Sequence, residues 1–533
     1  MENIKIPYKE TGYFSKIILD YLDEKQTIQP FYNRFPKLEN FQAQIKEKEK
    51  SFSLKSRKIL VSALESQYRK TETSQLTHKH IENLSQSTTF TVTTGHQLNL
   101  FSGPLYFLYK IISTINLCKE LKKKYPKYNF TPIYWMASED HDFEEIQYFN
   151  FKNKKISWNR SSGGAVGRLS TEGLDAVFKE FSKLLNTGKN AEELRLLFDQ
   201  SYLKHSNLTE ASRYLVNALF GEYGLVIVDG DDKALKQLFK PYALKELEDQ
   251  ITFENVTKTN QRLEKEGYKI QVNPREINLF YIGDGFRERV VKEAGVYKVH
   301  NTDIEFSSAK ELFLQTDKLE FVSGNALLRP LYQEVILPNL SYIGGGGELA
   351  YWMQLKSTFQ AFQVPFPILL LRNSALLISK KQQKKIDKLG VELKDLFLTQ
   401  HKLTQKIVEQ RSKVNFDFES KRNQLQKTFR ELSSLSNQVD SSFIGAVKAQ
   451  EKKQIKGLNH LEKRLLKAKK RKMNELVNRI ASIQNELFPE YSLEERSKNF
   501  SEYYEFYGKE LVHILLKELQ PLNLKFLVLH LNS

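Results

Sequence analysis

The stretch that decides the fold runs Thr89-Phe90-Thr91-Val92-Thr93-Thr94, then Gly95-His96-Gln97-Leu98-Asn99. It returns as Thr131-Pro132-Ile133-Tyr134-Trp135-Met136-Ala137-Ser138, followed by Glu139-Asp140-His141-Asp142. A helical stretch separates the two runs, so the order is β-α-β. Right-handed crossovers make such strands parallel and open both carboxyl ends on one edge of the sheet. Ligands of open α/β sheets bind at that edge. Two His, three carboxylates and two amides (Gln97, Asn99) are therefore expected to converge on one crevice.

Outward from this unit, residues 1–85 read as helices and 170–223 return to helical periodicity. Gly224-Leu225-Val226-Ile227-Val228 is a third strand candidate ending in the acidic Asp229-Gly230-Asp231-Asp232. The stretch 265–322 is mixed, with Gly283-Asp284-Gly285 as a hairpin-like turn. Leu340-Ser341-Tyr342-Ile343 leads into four glycines, 344–347, and a helix expected from Glu348 that carries Tyr351 and Trp352. Phe366 to Leu371 is a further buried-strand candidate, closed by Arg372-Asn373-Ser374.

From 380 to 488 Gly is sparse and Pro is missing. Seam positions alternate at spacings of 4 and 3 through Leu425, Phe429, Leu432, Ser436, Val439 and Phe443, the pattern of a coiled coil. A hairpin of two long helices turning near Gly445–Gly457 is expected, each half roughly 35–45 residues long. So narrow a stripe calls for a second chain, so a homodimer is expected. Between Lys380 and Glu490 there are 26 Lys and Arg against 13 Asp and Glu. That excess reads first as a solvated helical face; a nucleic-acid surface is disfavoured, because no aromatics are interleaved with it.

With 533 residues, two or three structural units are expected, and 35 Phe and 25 Tyr suffice for a substantial core. No apolar run reaches 18 residues, and Met1-Glu2-Asn3-Ile4-Lys5 has no signal-peptide layout. The single cysteine, Cys118, excludes an internal disulfide and a Cys-based zinc cluster; it lies mid-helix and reads as buried filler. The expectation is a cytoplasmic protein without a membrane span.

Gly95-His96-Gln97 is read as a strand-to-helix turn whose N–H groups favour an anion, with His96 stabilising charge on a phosphoryl or acyl oxygen. The competing reading is that His96 and Gln97 only tie down the turn. Glu139-Asp140-His141-Asp142 places four ionisable groups directly after an apolar strand, costly without a ligand or basic partners. The flanking carboxylates suit His141 to proton transfer near neutral pH; a salt-bridged loop is the structural alternative. Ligand spacing supports a metal on His96, Asp140 and His141 only weakly, so none is expected. Gly344 and Gly345 allow close backbone approach to a ligand or serve a sharp turn. Arg329, Arg372 and Asn373 offer donors for carboxylate or phosphate, although Arg372 would equally pair with an acidic loop.

These blocks resemble the bacillithiol synthase (BshC, cysteine ligase) family. The resemblance is carried by Thr94-Gly95-His96-Gln97 with Leu100-Phe101-Ser102-Gly103-Pro104-Leu105-Tyr106, and by Trp135 through Glu145. It continues in Leu328-Arg329-Pro330-Leu331-Tyr332-Gln333-Glu334, Ile336-Leu337-Pro338-Asn339, Tyr342-Ile343-Gly344-Gly345, Glu348-Leu349-Ala350-Tyr351-Trp352 and Arg372-Asn373-Ser374. Two departures stand out: His96 where the family has Gln, and Gly346 where it has Pro. The resemblance implies an α/β fold: a Rossmann-like parallel-sheet core with helical insertions plus an antiparallel α-helical coiled-coil domain that dimerises. The domains would be 1–379 (inserted segments about 150–223 and 233–322), 380–490, and a 491–533 segment packing back on the core.

The implied activity is the last step of bacillithiol synthesis, joining the cysteine carboxyl to the amine of glucosaminyl-malate as an amide. An activated carboxyl is needed, with ATP or another nucleotide as co-substrate and no other cofactor assigned. In that reading Glu139, Asp140, His141 and Asp142 are catalytic. Gly95, His96, Gln97, Asn99, Arg329, Gly344, Gly345, Glu348, Trp352, Arg372 and Asn373 bind substrate or nucleotide, Arg329 and Arg372 gripping the malyl carboxylates. An aminoacyl-tRNA-synthetase-like or RNA-binding protein using its basic arm is the alternative.

Overall fold

Five runs of buried residues build the central sheet: β1 (Thr89–His96), β2 (Asn129–Met136), β3 (Val226–Asp229), β4 (Asn339–Gly344) and β5 (Ile368–Leu371). All neighbours pair in parallel, in the order β5-β4-β1-β2-β3. Both faces are covered, which is why β3 and β5 read as near-continuous apolar runs. The chain leaves β1 towards β2 and β3, then returns to the other flank of β1 for β4 and β5. The winding therefore reverses between β1 and β4, where open sheets bind ligands. The computed structural model describes residues 3–314, 322–411 and 417–531, so the end of the second inserted segment at 315–321 lies outside it.

The chain divides into two compact units, Met1–Leu376 with Ser492–Leu529, and Leu377–Tyr491 with the residues from His530. In the first unit, helix α1 (Tyr106–Lys124) crosses from β1 to β2. Its Cys118 is buried in the apolar layer beside Val92 and Phe130, and burial pushes the thiol up, in keeping with filler. The first insertion contributes helices over Leu174–Leu184, Lys189–Phe198 and Leu208–Phe220. The second opens with α2 (Lys233–Asp249) and ends in a five-stranded antiparallel sheet. In that sheet Leu279–Gly283 and Phe286–Glu293 form a hairpin over Asp284-Gly285. The Phe526–Leu531 strand pairs antiparallel with Ile4–Ile6 through Ile4↔Val528 and Ile6↔Phe526.

The central strand β1 is rich in threonine yet wholly buried, so its hydroxyls need partners. Thr91 and Thr93 donate to Asn339 Oδ1 at 3.2 and 2.9 Å, and Thr94 donates to the Ile343 carbonyl at 2.7 Å. Asn339 donates to Glu334 Oε1 at 2.6 Å on α3 (Arg329–Ile336). Lys48, buried with Glu334, completes the group through the Glu334 carbonyl at 2.9 Å and carboxylate at 3.3 Å.

In the second unit, α5 (Phe418–Val439) and α6 (Ile444–Lys472) form the antiparallel hairpin, tied by Arg422 to Glu462 at 2.6 Å. (Helix α4, Gly346–Trp352, belongs to the first unit.) The turn comes earlier than the sequence led us to expect. Asp440 leaves the helical conformation and accepts the Ser442 N–H at 2.9 Å, while Gly445 and Gly457 sit inside α6. Shorter helices over Lys380–Leu389, Gln400–Gln410 and Asn474–Leu487 make up the rest. Val439, Phe443, Leu435 and Leu461 remain more than half exposed.

The Lys48–Glu334 pair yields a stability prediction. Lys48→Met leaves a buried carboxylate uncompensated and should cost about 3–5 kcal/mol, read as a lower urea midpoint. Glu334→Gln in the same background should recover part of that loss.

Candidate active site

At the reversal point the carboxyl ends of β1, β2 and β4 surround a cavity of about 470 Å3. Gly95 and His96 line it from β1, Gln97 from just beyond β1, and Glu139 to Asp142 from the loop after β2; of the other expected residues, Arg329 and Glu348 line it too. Asn99 lines a neighbouring cavity instead. The helix does not begin at Gln97, as the sequence suggested. His96 still belongs to β1, a short turn covers Leu100–Ser102, and α1 starts only at Tyr106. Phe101 takes a left-handed φ of 47° there. Its ring packs among Phe149, Phe181, Phe198 and Phe500, and Asn499 donates to the Phe101 and Gly103 carbonyls. Those contacts offset the strain and fix the loop that carries Gln97.

Lys110, a residue the sequence did not single out, anchors the floor. From α1 it donates to the Gly95 carbonyl at 2.8 Å and pairs with Glu348 at 2.6 Å. Glu348 also accepts the Tyr342 hydroxyl at 2.7 Å and the Gly345 N–H at 2.8 Å. Burial pushes the Lys110 ammonium down, against the pull of Glu348. Burial works to raise Glu348, but Lys110 and these donors outweigh it and hold the carboxyl below its usual value. Arg329 lies over Trp135 and reaches Gln333 and the Tyr351 hydroxyl at 3.2 and 3.4 Å. Among the described residues no carboxylate stands within ion-pair distance of it.

The acidic loop is held from several sides. Glu139 is buried and pairs with Lys236 of α2 at 2.8 Å; Lys236 also meets Asp231, which Arg168 grips at 2.7 Å. Burial raises the Glu139 carboxyl against Lys236. Asp140 accepts from Gln97 Nε2 at 3.1 Å and from the His141 N–H at 2.8 Å, with Arg287 at 3.8 Å. Burial alone would raise Asp140; His141, Arg287 and Gln97 together hold it well below the usual carboxylate range. Arg287 comes from the inserted antiparallel sheet and was not foreseen. Its NH1 donates to His141 Nδ1 at 2.8 Å, its Nε to Ser323 at 3.0 Å, its NH2 to the Gly324 carbonyl at 3.0 Å, and it stacks on Phe280. A guanidinium only donates, so in this contact Nδ1 accepts, which leaves Nε2 for the ring N–H; Asp140 Oδ1 stands 3.6 Å from the same Nδ1. Asp142, exposed, lies 3.9 Å from that Nε2.

Several expected binding residues serve the fold instead. Arg372 pairs with buried Glu495 at 2.8 Å and also holds the Asn373 carbonyl and Ser374, so its terminal nitrogens are committed. Asn373 exchanges hydrogen bonds with Ser113 and donates to the Gln520 carbonyl. Trp352 is fully buried and stacks on Tyr342 at 4.3 Å. Gly344 ends β4, and Gly345 caps α4 through Glu348; neither lines the cavity. His96 packs between Tyr106 and Phe107; burial, then Lys110, push its imidazole well down, so it stays neutral and brings no positive charge. The side chains of Asp140, His141 and Asp142 stand close enough to share a cation, but His96 is not among them. Arg287 already occupies His141 Nδ1 and places its own charge beside Asp140.

Sheet, insertions and cavity define an α/β protein of the Rossmann-like class with an appended coiled coil. The family model "Bacillithiol biosynthesis BshC, N-terminal Rossmann-like domain" matches residues 1–373, and "Bacillithiol biosynthesis BshC, C-terminal coiled-coil domain" matches 375–531. A protein of Christiangramia forsetii named "Putative cysteine ligase BshC" is 54% identical over 528 residues, covering 98% of each chain. Its namesake in Flavobacterium psychrophilum is 54% identical over 525 residues, again 98% of each. The one in Cytophaga hutchinsonii is 37% identical over 495 residues, 93% of this chain and 92% of that one. The chain belongs to the BshC family of bacillithiol biosynthesis. A solved structure described as a "putative arginyl t-RNA synthetase" from Campylobacter jejuni covers 83% of this chain and 96% of that one, at 9% identity and a TM-score of 0.21, which carries no argument.

The buried imidazole gives a pH prediction. Burial holds the His96 pKa in the folded chain below its unfolded value of about 6.5. Below that pH the unfolded chain gains a proton that the fold does not accept, so stability falls as pH drops through it. His96→Gln removes this proton uptake. Its Tm should fall less than the wild-type Tm between about pH 7.5 and 5.

Proposed function

We propose that the cavity joins cysteine to glucosaminyl-malate through an amide bond, after activation of the cysteine carboxyl by ATP or another nucleoside triphosphate. The observation that carries this reading is Arg329, a guanidinium in the cavity wall with no carboxylate within ion-pair distance among the described residues. Such a group at the mouth of a doubly wound sheet suits a phosphate or carboxylate. Membership of the BshC family and the name of the C. forsetii relative support the substrate class.

In the first step a cysteine carboxylate oxygen attacks the α-phosphorus and pyrophosphate leaves. In the second, the amine of the acceptor attacks the acyl carbon, loses a proton, and expels the nucleoside monophosphate as the C–N bond forms. Arg329 holds the anionic activated group, and Gln97 orients Asp140 at the cavity edge. Because Arg287 occupies His141 Nδ1, Asp142 rather than His141 takes the proton. The ammonium of the tetrahedral intermediate is acidic and gives its proton to the carboxylate. A homodimer through the arm is part of this reading, supported by the apolar residues left exposed on α5 and in the turn after it. Among the described residues no helix is long and apolar enough to cross a membrane; a biosynthetic ligase of soluble metabolites fits the cytoplasm.

Three measurements test the reading. Deleting the gene should abolish bacillithiol and accumulate glucosaminyl-malate in a thiol profile by mass spectrometry; unchanged bacillithiol would refute it. Arg329→Gln should lower cysteine-dependent exchange of pyrophosphate into nucleotide by about 10²–10³-fold. Asp142→Asn should leave that exchange intact and slow amide formation by about 10²-fold; equal rates for variant and wild type would remove Asp142 from the mechanism.

A further inference from the structure

A second cavity, of about 360 Å3, lies beside the first and shares Gln97 and Tyr106 with it. Its lining differs in character. Arg496, on the exposed rim, lines it and donates to the Tyr13 carbonyl at 3.4 Å; among the described residues no carboxylate stands within ion-pair distance of it. Asn99 gives its amide to the Glu145 carbonyl at 3.1 Å, which leaves its side-chain oxygen towards other donors. Glu145 meets the shared Gln97 at 3.1 Å through one carboxylate oxygen only. Tyr148, half-buried, adds an aromatic ring, one face of which is covered by the Lys155 ammonium at 3.9 Å. The chain makes room for this arrangement: Gly103 has a φ of +63°, and a Cβ there would stand 2.6 Å from the Asn99 Cβ.

Two substrates and an activating nucleotide must meet in the proposed reaction, and the acceptor's carboxylates need a cation. Arg372 cannot provide it, being committed to Glu495. Arg496 lines the adjoining cavity, and among the described residues it forms no ion pair. We propose that this second cavity is the acceptor subsite, taking a hydroxyl-rich sugar acid whose carboxylate pairs with Arg496. The sugar hydroxyls meet Asn99 and Glu145, and one face of the ring packs on Tyr148, the mix of amide, carboxylate and aromatic groups that fixes polar ligands in a pocket. Bond formation then occurs across the shared wall. Burial, then Glu348, push the Tyr106 hydroxyl up to about 12, so it remains an O–H donor there at neutral pH. This inference rests on the ligase reading above and specifies where its second substrate sits.

The test uses the full-length protein with cysteine, nucleotide and glucosaminyl-malate. Arg496→Gln is expected to raise KM for glucosaminyl-malate at least about tenfold, because a neutral amide no longer grips a carboxylate that binds alike in ground and transition states. KM for cysteine and the cysteine-dependent pyrophosphate exchange should stay within about twofold, which also reports that the variant is folded. Arg496→Lys should restore most of the affinity, and Tyr148→Ala, on another part of the wall, should raise the same KM. An unchanged acceptor KM in Arg496→Gln, or a parallel rise in cysteine KM, overturns the subsite while leaving the ligase reading intact. A wild-type protein that forms no amide from these substrates overturns both.

Discussion

Lys110 reaches from α1 to two acceptors on opposite sides of the winding reversal, the Gly95 carbonyl at the end of β1 and the Glu348 carboxylate beyond β4. An ammonium buried this deeply survives only with such partners, since desolvation works against its charge. The contact therefore does more than fill space. It fixes the ends of two strands whose following segments diverge, and that divergence creates the cavity. Glu348 in turn orders the Tyr342 hydroxyl and the Gly345 N–H, so the β4 side of the mouth takes its shape from the same charge.

Around that floor, the site draws on distant stretches of chain. The β1 loop supplies Gln97, the β2 loop the carboxylates, α3 Arg329, and the inserted antiparallel sheet Arg287. Positive and negative groups alternate so that nearly every charge is answered: Lys236 lies between Glu139 and Asp231, and Arg287 between His141 and Asp140. Arg329 and Arg496 stand apart from this pattern. Among the described residues neither forms an ion pair, and a charge in that position is one a ligand can satisfy; each of the two lines a cavity.

Much of the scaffold was legible in the chain itself. Strand-like runs ending in polar loops located β1, β2, β3 and β5, because parallel strands covered on both faces lose the alternation of half-exposed ones. Residues 340–343 read in sequence only as leading into the glycines, and their pairing as β4 emerges from the fold. The coiled-coil period located the arm, but its turn was misplaced towards Gly445. A helix tolerates isolated glycines, and Asp440, an ordinary residue in sequence, breaks it by capping its own turn. The carboxylate cluster was visible because four ionisable groups in a row are conspicuous. Lys110 and Arg287 were not: one sits in the apolar run of α1 and the other in a hairpin strand of common composition, and only the tertiary fold brings them to the cavity. Arg372 erred in the opposite direction. Its position after β5 looked like a ligand contact, and nothing local revealed that Glu495, over a hundred residues later, would claim it.

The pairing of Ile4–Ile6 with the strand from Phe526 has a consequence for how the molecule is made. The first unit is interrupted by the whole of Leu377–Tyr491, and the residues that close its edge, together with Glu495 and Asn499, emerge from the ribosome only after that excursion. Domains made early in translation usually complete themselves as they appear. Here the amino-terminal unit must wait, with Arg372 unpaired and the β1 loop unclamped, until the far side of the arm has been synthesised.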